Sequence, residues 1–214
     1  MVIREICAIV IGYLLGSIPS AYIATRLATG RDIRRMGGGN VGGLNVYREV
    51  GAGPAAAVGI FDMGKGAAAV AIALWWLAVP PEFVLAAGLA VVVGHNWMVW
   101  LRFRGGKGMG VTIGALTVLL PVYGYWVGLP IIFGLILIPY LITRNIAVAM
   151  GLSLVALPFL TWLGMHSLTG TIFAIILGLV ILVKFLPTAR ASWAKAESKK
   201  DEFLFDHWQR NKEE

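Results

Sequence analysis

The chain has 214 residues, 58% of them hydrophobic and only 14% charged, and its mean hydropathy is +0.80. A soluble domain carries about 25% charged residues, so this apolar excess is more than one globular core of this size can hide. Disorder is excluded as well, because it needs low hydrophobicity and high charge. A polytopic all-α membrane protein remains, with lipid in place of a core. The net charge of +7, from 18 Lys+Arg against 11 Asp+Glu, then reads as one-sided loop charge or as affinity for an anion. Nucleic acid is not the expected partner.

Seven apolar runs follow one another between charged or Pro/Gly breaks: 4–26, 55–79, 82–101, 108–122, 124–142, 146–164 and 167–186. Most approach the roughly 20 residues that cross a bilayer core. They are too long for barrel strands and do not alternate, so helices are expected. The run 108–122 is short and is expected to tilt or to share its depth with the glycines before it. The first run exceeds a signal-peptide core and no small-residue cleavage site follows it, so it is expected to stay in place. Its one cysteine, Cys7, reads as a small apolar side chain, and no disulfide framework is possible.

With the N-terminus outside and all seven runs spanning, 17 of the 18 Lys+Arg fall in inner loops or at inner span ends, and Arg4 alone lies outside. That asymmetry is what the positive-inside rule asks for. The C-terminus is then cytoplasmic. The expected organisation is one seven-helix domain over 1–190 and a polar tail over 191–214, with no internal repeat. The tail carries Trp193, Phe203, Phe205 and Trp208 among mixed charges and reads either as a short interfacial helix or as a solvated end.

Three inner segments combine glycine with cations. The first, 30–48, holds Gly37, Gly38, Gly39, Gly42 and Gly43, Asn40 and Asn45, and Arg31, Arg34, Arg35 and Arg48. Glycines let backbone N–H groups approach an anion, and arginine forks fit phosphate oxygens. A flexible loop charged only for topology is the alternative. The second segment has Asp62 and Lys65 three residues apart, on one helix face. Ionisable side chains at membrane depth are functional suspects, although these two can also pair with each other or with the loop arginines. The third runs from Gly94-His95-Asn96 to Arg102 and Arg104-Gly105-Gly106-Lys107-Gly108, where Gly108 opens a span and an anion can meet a helix N-terminus. It lacks Walker A spacing. His95, placed near mid-span, reads as a hydrogen-bonded structural group or as a ligand contact. No cluster has metal-ligand spacing and no nucleophile-and-base pair appears, so neither metal nor cofactor is expected. Together the segments suggest a site for phosphate-bearing molecules at the cytoplasmic interface.

Leu15-Gly16-Ser17-Ile18-Pro19, Gly39-Asn40-Val41-Gly42 with Asn45, Asp62-x-x-Lys65-Gly66, Gly94-His95 and Arg104-Gly105-Gly106-Lys107-Gly108 occur in this order along the chain. The set resembles the bacterial acyl-phosphate:glycerol-3-phosphate acyltransferase family (PlsY). The resemblance implies a seven-helix inner-membrane enzyme that moves a fatty acyl group from acyl phosphate to the 1-hydroxyl of glycerol 3-phosphate. The product is lysophosphatidic acid, for phospholipid synthesis. It also implies a neighbour in the enzyme that forms acyl phosphate. By resemblance Gly37 to Asn45 with Arg48 would hold acyl phosphate, and Gly105, Gly106 and Lys107 would hold glycerol phosphate. Arg48, Asn45 and Lys107 are then the expected catalytic set. Gly37, Gly38, Gly39, Asn40, Gly42, Asp62, Lys65, His95, Arg104, Gly105, Gly106 and Gly108 are the expected binding set.

Several polar positions of the family pattern differ here. Gly38 stands for a serine, Gly43-Leu44 for Ala-Thr, Phe185 and Thr188 for the His and Asn of a His-x-x-Asn pattern, and Asn145-Ile146-Ala147 where a serine is usual. A non-catalytic or altered-acceptor relative that binds a phosphorylated lipid precursor is therefore the competing expectation. An organic-phosphate transporter is a further one.

Overall fold

The computed structural model describes residues 2–195; the aromatic and charged part of the tail over 196–214, with its expected interfacial helix, lies outside the described residues. Among the described residues there is no strand. The chain forms two compact units, Met1–Val122 and Tyr123–Glu214, a division that no composition shift marks.

In the first unit the helices are α1 (Val2–Ser17), α2 (Ser20–Thr29), α3 (Gly43–Glu49), α4 (Ala52–Ala71), α5 (Pro81–Asn96) and α6 (Met109–Val122). A π-helical turn, Ile72–Trp76, extends α4. Helices α1 and α2 form one apolar span, Val2–Thr29, interrupted at Ile18-Pro19. Proline lacks the N–H that would continue the ladder. Irregular backbone at membrane depth survives only where protein covers and satisfies it. Here the Ile18 carbonyl accepts from the Lys65 ammonium at 3.0 Å.

Without a hydrophobic force between helices in lipid, close backbone approach at small residues holds spans together. Gly12 and Gly16 of α1, four apart, lie against the carbonyls of Ala87 and Val91 on α5, and Gly94 of α5 lies against that of Tyr13. Gly66 of α4 meets the carbonyl of Val111 on α6, and Gly114 of α6 meets that of Met63. A methyl group at Gly16, Gly66, Gly94 or Gly114 would overlap backbone, so these glycines fix the α1–α5 and α4–α6 seams. Ser17 Oγ adds a hydrogen bond to the Gly94 carbonyl at 3.3 Å, and Tyr13 Oη one to that of Trp97 at 2.8 Å.

The second unit is a stack of α7 (Gly128–Thr143), α8 (Ile146–Met165) and α9 (Leu168–Lys195). Leu157, Ala174 and Leu177 are buried at their contacts. Asn145 caps α8: its Oδ1 accepts from Val148 N at 3.3 Å.

Among the described residues, five helices are long and apolar enough to cross a membrane: Val2–Thr29, Ala52–Trp76, Pro81–Leu101, Val148–Met165 and Leu168–Pro187. Met109–Val122 and Gly128–Thr143 are apolar but shorter. At 1.5 Å per residue the 14 residues of α6 reach about 21 Å. The chain is a multi-pass membrane protein.

Candidate functional site

The site grows from two glycine-rich loops at one end of the first unit. The first lies between α2 and α3. It is anchored from below by Ile33, Met36, Val41 and Val46, all buried, in one apolar cluster with Ala21, Val58, Met98 and Leu101. Above that plug, Gly39 N donates to the Met36 carbonyl at 2.9 Å, and Gly37 and Gly39 have φ of +51° and +68°. Side chains rarely adopt that backbone, so the turn needs glycine at both places. Asn45 clamps the loop: its Nδ2 donates to the carbonyls of Met36 at 3.1 Å and Asn40 at 3.0 Å. The loop is thus a fixed surface rather than a solvated tether. Asp32 pins its entrance, accepting from the Arg34 backbone and guanidinium, and the Arg34 fork holds the Asp32 carboxyl down at about 2. The same guanidinium stacks 5.3 Å from the Tyr22 ring centroid.

The second loop joins α5 to α6 and rests on the last turn of α5. Gly106 N donates to the His95 carbonyl at 3.0 Å. Gly105 lies on the His95 and Asn96 carbonyls, and Gly106 on the His95 imidazole and the Val41 carbonyl of the first loop. Gly108, with φ +77°, lies against Val92 and the Asn96 side chain and leads into Met109, the first residue of α6. This stacking brings the loops together and sets Lys107 beside Arg48. Lys107 is held down at about 8, first by burial and then by the Arg48 charge. Burial also lowers Arg48 from the ordinary guanidinium value.

The structure therefore brings Gly37 to Gly42, Asn45 and Arg48 of the first loop to Gly105, Gly106, Lys107 and Gly108 of the second. Arg104 and Arg102 are exposed on the rim instead. Asp62, Lys65 and His95 lie beneath the loops, only 5%, 4% and 3% exposed. Two positions read from sequence change. His95 is in the last turn of α5, not near mid-span, because the helix stops at Asn96. Lys65 is well inside α4 rather than at the end of a span, and it reaches the chain break in the first span. It also pairs with Asp62, Nζ to Oδ1 at 2.8 Å.

Sequence reasoning missed Ser20, whose hydroxyl donates to Asp62 Oδ1 at 2.6 Å. Its signal was Pro19, which ends one helix and leaves the next residue opening another. The next residue after His95, Asn96, has an amide fully buried under Gly108 that makes no hydrogen bond. Among the described residues no group of His, Cys, Asp and Glu could hold a metal ion. Two cations drawn together beside glycine loops, one of which opens on a helix N-terminus, have the chemistry that phosphate oxygens accept from.

Comparison with known proteins gives the chain a family. The glycerol-3-phosphate acyltransferase family matches residues 6–194. A relative named glycerol-3-phosphate acyltransferase 1, from Dehalococcoides mccartyi, is 50% identical over 203 residues, covering 95% of this chain and 97% of the relative. A glycerol-3-phosphate acyltransferase of Gloeobacter violaceus is 38% identical over 183 residues, 79% of this chain and 82% of its own. The crystal structure of PlsY (YgiH), an integral membrane glycerol 3-phosphate acyltransferase in its glycerol 3-phosphate form, superposes with a TM-score of 0.77. It is 25% identical and covers 94% of this chain and 99% of its own.

Proposed function

From the premise that this chain belongs to the glycerol-3-phosphate acyltransferase family, we propose that it transfers a fatty acyl group from acyl phosphate to the 1-hydroxyl of glycerol 3-phosphate. What carries this is the family match over residues 6–194, together with the meeting of the two glycine loops at Gly106 and Val41, which sets Lys107 beside Arg48. Two like charges in a half-buried place repel, and a phosphate-bearing substrate between them relieves that repulsion. In this reading the first loop and Arg48 receive the acyl phosphate, and Lys107 with Gly105, Gly106 and Gly108 receives glycerol 3-phosphate. Arg104 meets the incoming anion at the rim. Asn45 serves by holding its loop.

The hydroxyl oxygen attacks the acyl carbon, the bond from that carbon to the phosphate oxygen breaks, and the departing phosphate takes the hydroxyl proton. Because the donor is already activated, alignment and charge stabilisation suffice, and no nucleophile of the chain is required. The reading includes seven spans, the two shorter apolar helices among them. It also places the N-terminus outside, the loops and C-terminus in the cytoplasm, and the chain in the bacterial inner membrane. Its donor is an activated amphiphile that water hydrolyses, so the enzyme that forms acyl phosphate is a fitting neighbour.

The test is turnover. Purified chain in lipid nanodiscs, given acyl phosphate and glycerol 3-phosphate, should release lysophosphatidic acid and one phosphate per acyl group moved. Product no higher than in empty nanodiscs would overturn the reading in favour of a relative that binds without turnover.

A further inference from the structure

Beneath the two loops lies a cluster of buried polar groups that the reaction itself does not use. It starts at the break in the first span, where the Ile18 carbonyl accepts from Lys65 Nζ at 3.0 Å. Lys65 pairs with Asp62 Oδ1 at 2.8 Å, and the same oxygen accepts from Ser20 Oγ at 2.6 Å. Nδ1 of His95 lies 3.7 Å from that oxygen. The other edge of the ring, at Nε2, lies against Gly106, whose N–H is already tied to the His95 carbonyl at 3.0 Å. Lys107 is the next residue. Four elements (the α1–α2 break, α4, α5 and the second loop) thus meet through one carboxylate oxygen and one imidazole.

We propose that His95 is a positioning residue for acceptor binding: Asp62 braces one edge of its ring, and the other edge holds the Gly105–Gly108 turn that presents Lys107 to the phosphate of glycerol 3-phosphate. The assignment rests on the reading that Lys107 binds the acceptor. Geometry separates it from a role in the donor site. The first loop has its own supports in Ile33, Met36, Val41 and Val46 and in the Asn45 clamp. The second rests on the end of α5 and meets the first where Gly106 lies on the Val41 carbonyl. An ångström of drift at an aligned group is enough to cost about 100-fold in rate, and a glycine turn has no side chain of its own to resist it.

The experiment is steady-state kinetics of the full chain in nanodiscs, each substrate varied while the other saturates. His95→Ala should raise KM for glycerol 3-phosphate about 10- to 100-fold, the range of a charge-assisted hydrogen bond, and leave KM for acyl phosphate within about threefold. His95→Gln, which keeps a polar atom near Nε2, should recover most of the loss. In a Lys107→Ala background His95→Ala should add nothing. If both KM values rise together, if kcat falls alone, or if the two substitutions multiply, the assignment is wrong.

A second readout needs no turnover and so separates this inference from the proposed function. The rate at which acetic anhydride modifies Lys107 at pH 8, read by mass spectrometry against Lys184, should change severalfold in His95→Ala. Equal rates in the two proteins would overturn the proposal even if the chain moves no acyl group. Should His95→Ala fail to fold, the paired change Asp62→Asn with Lys65→Met removes both buried charges at once and leaves His95 in place. It should show the same acceptor-selective rise in KM, and an unselective effect would refute the brace.

Discussion

The two glycine loops reach the same surface by opposite means. In the first, glycine serves backbone conformation: Gly37 and Gly39 take left-handed angles, while a side chain at Gly38 would meet open space. In the second, glycine serves mainly proximity: Gly105, Gly106 and Gly108 are pressed onto the end of α5 and leave no room for a methyl group, and Gly108 takes a left-handed angle as well. One loop is held from within, by an apolar plug and an asparagine. The other is held from below, by a neighbouring helix and the polar cluster beneath it. A shared richness in glycine thus hides unequal tolerance to change.

Substitution tests that contrast most severely at Gly106. In Gly106→Ala the new Cβ overlaps the His95 imidazole and the Val41 carbonyl. Overpacking of this kind costs about 1–3 kcal/mol, and turnover should fall at least about 100-fold as Lys107 moves. Thermal unfolding together with an initial-rate assay would check both. Next in size is Lys107→Ala, which should raise KM for glycerol 3-phosphate about 10- to 100-fold, the loss of one charge-assisted bond. Substrate titration against wild type reads it directly.

The pH profile comes third. Lys107 is an ammonium below about 8 and a neutral amine above it. Binding that needs its charge is therefore complete on the acid side and weakens as pH rises, with KM for the acceptor climbing up to about tenfold per unit beyond that point. Lys107→Arg keeps its charge throughout and should flatten the rise. A profile equally steep in that variant would place the titration elsewhere. Gly38→Ser should have the smallest effect, with stability within about 0.5 kcal/mol of wild type and any change in rate a gain. Loss of folding in a melting experiment would contradict the open space at that position.

Much of this was legible in the residues. Composition named the bilayer, run lengths marked the helices, and the cations beside glycines picked out three segments that the fold draws together. Asp62, Lys65 and His95 were visible as suspects, but their side of the site was not. A one-dimensional spacing places Asp62 and Lys65 on one face without saying what that face meets, and the end of α5 at Asn96 is set by the loop that turns back onto it. Ser20 and the Ile18 carbonyl had only Pro19 to announce them. Asn45 carried a signal for the loop but not for its job, since its amide is satisfied by Met36 and Asn40.

By itself the sequence determined the solvent this chain folds in, its helical class, its family and the chemistry of its ligands, because these follow from amounts and local order of apolar, cationic and glycine residues. Tertiary structure decided which cations meet and which buried groups support rather than touch the site. Those depend on contacts between segments far apart in the chain: Lys65 with Ile18, His95 with Asp62 and Gly106, Lys107 with Arg48. No local pattern encodes the few ångströms that separate them.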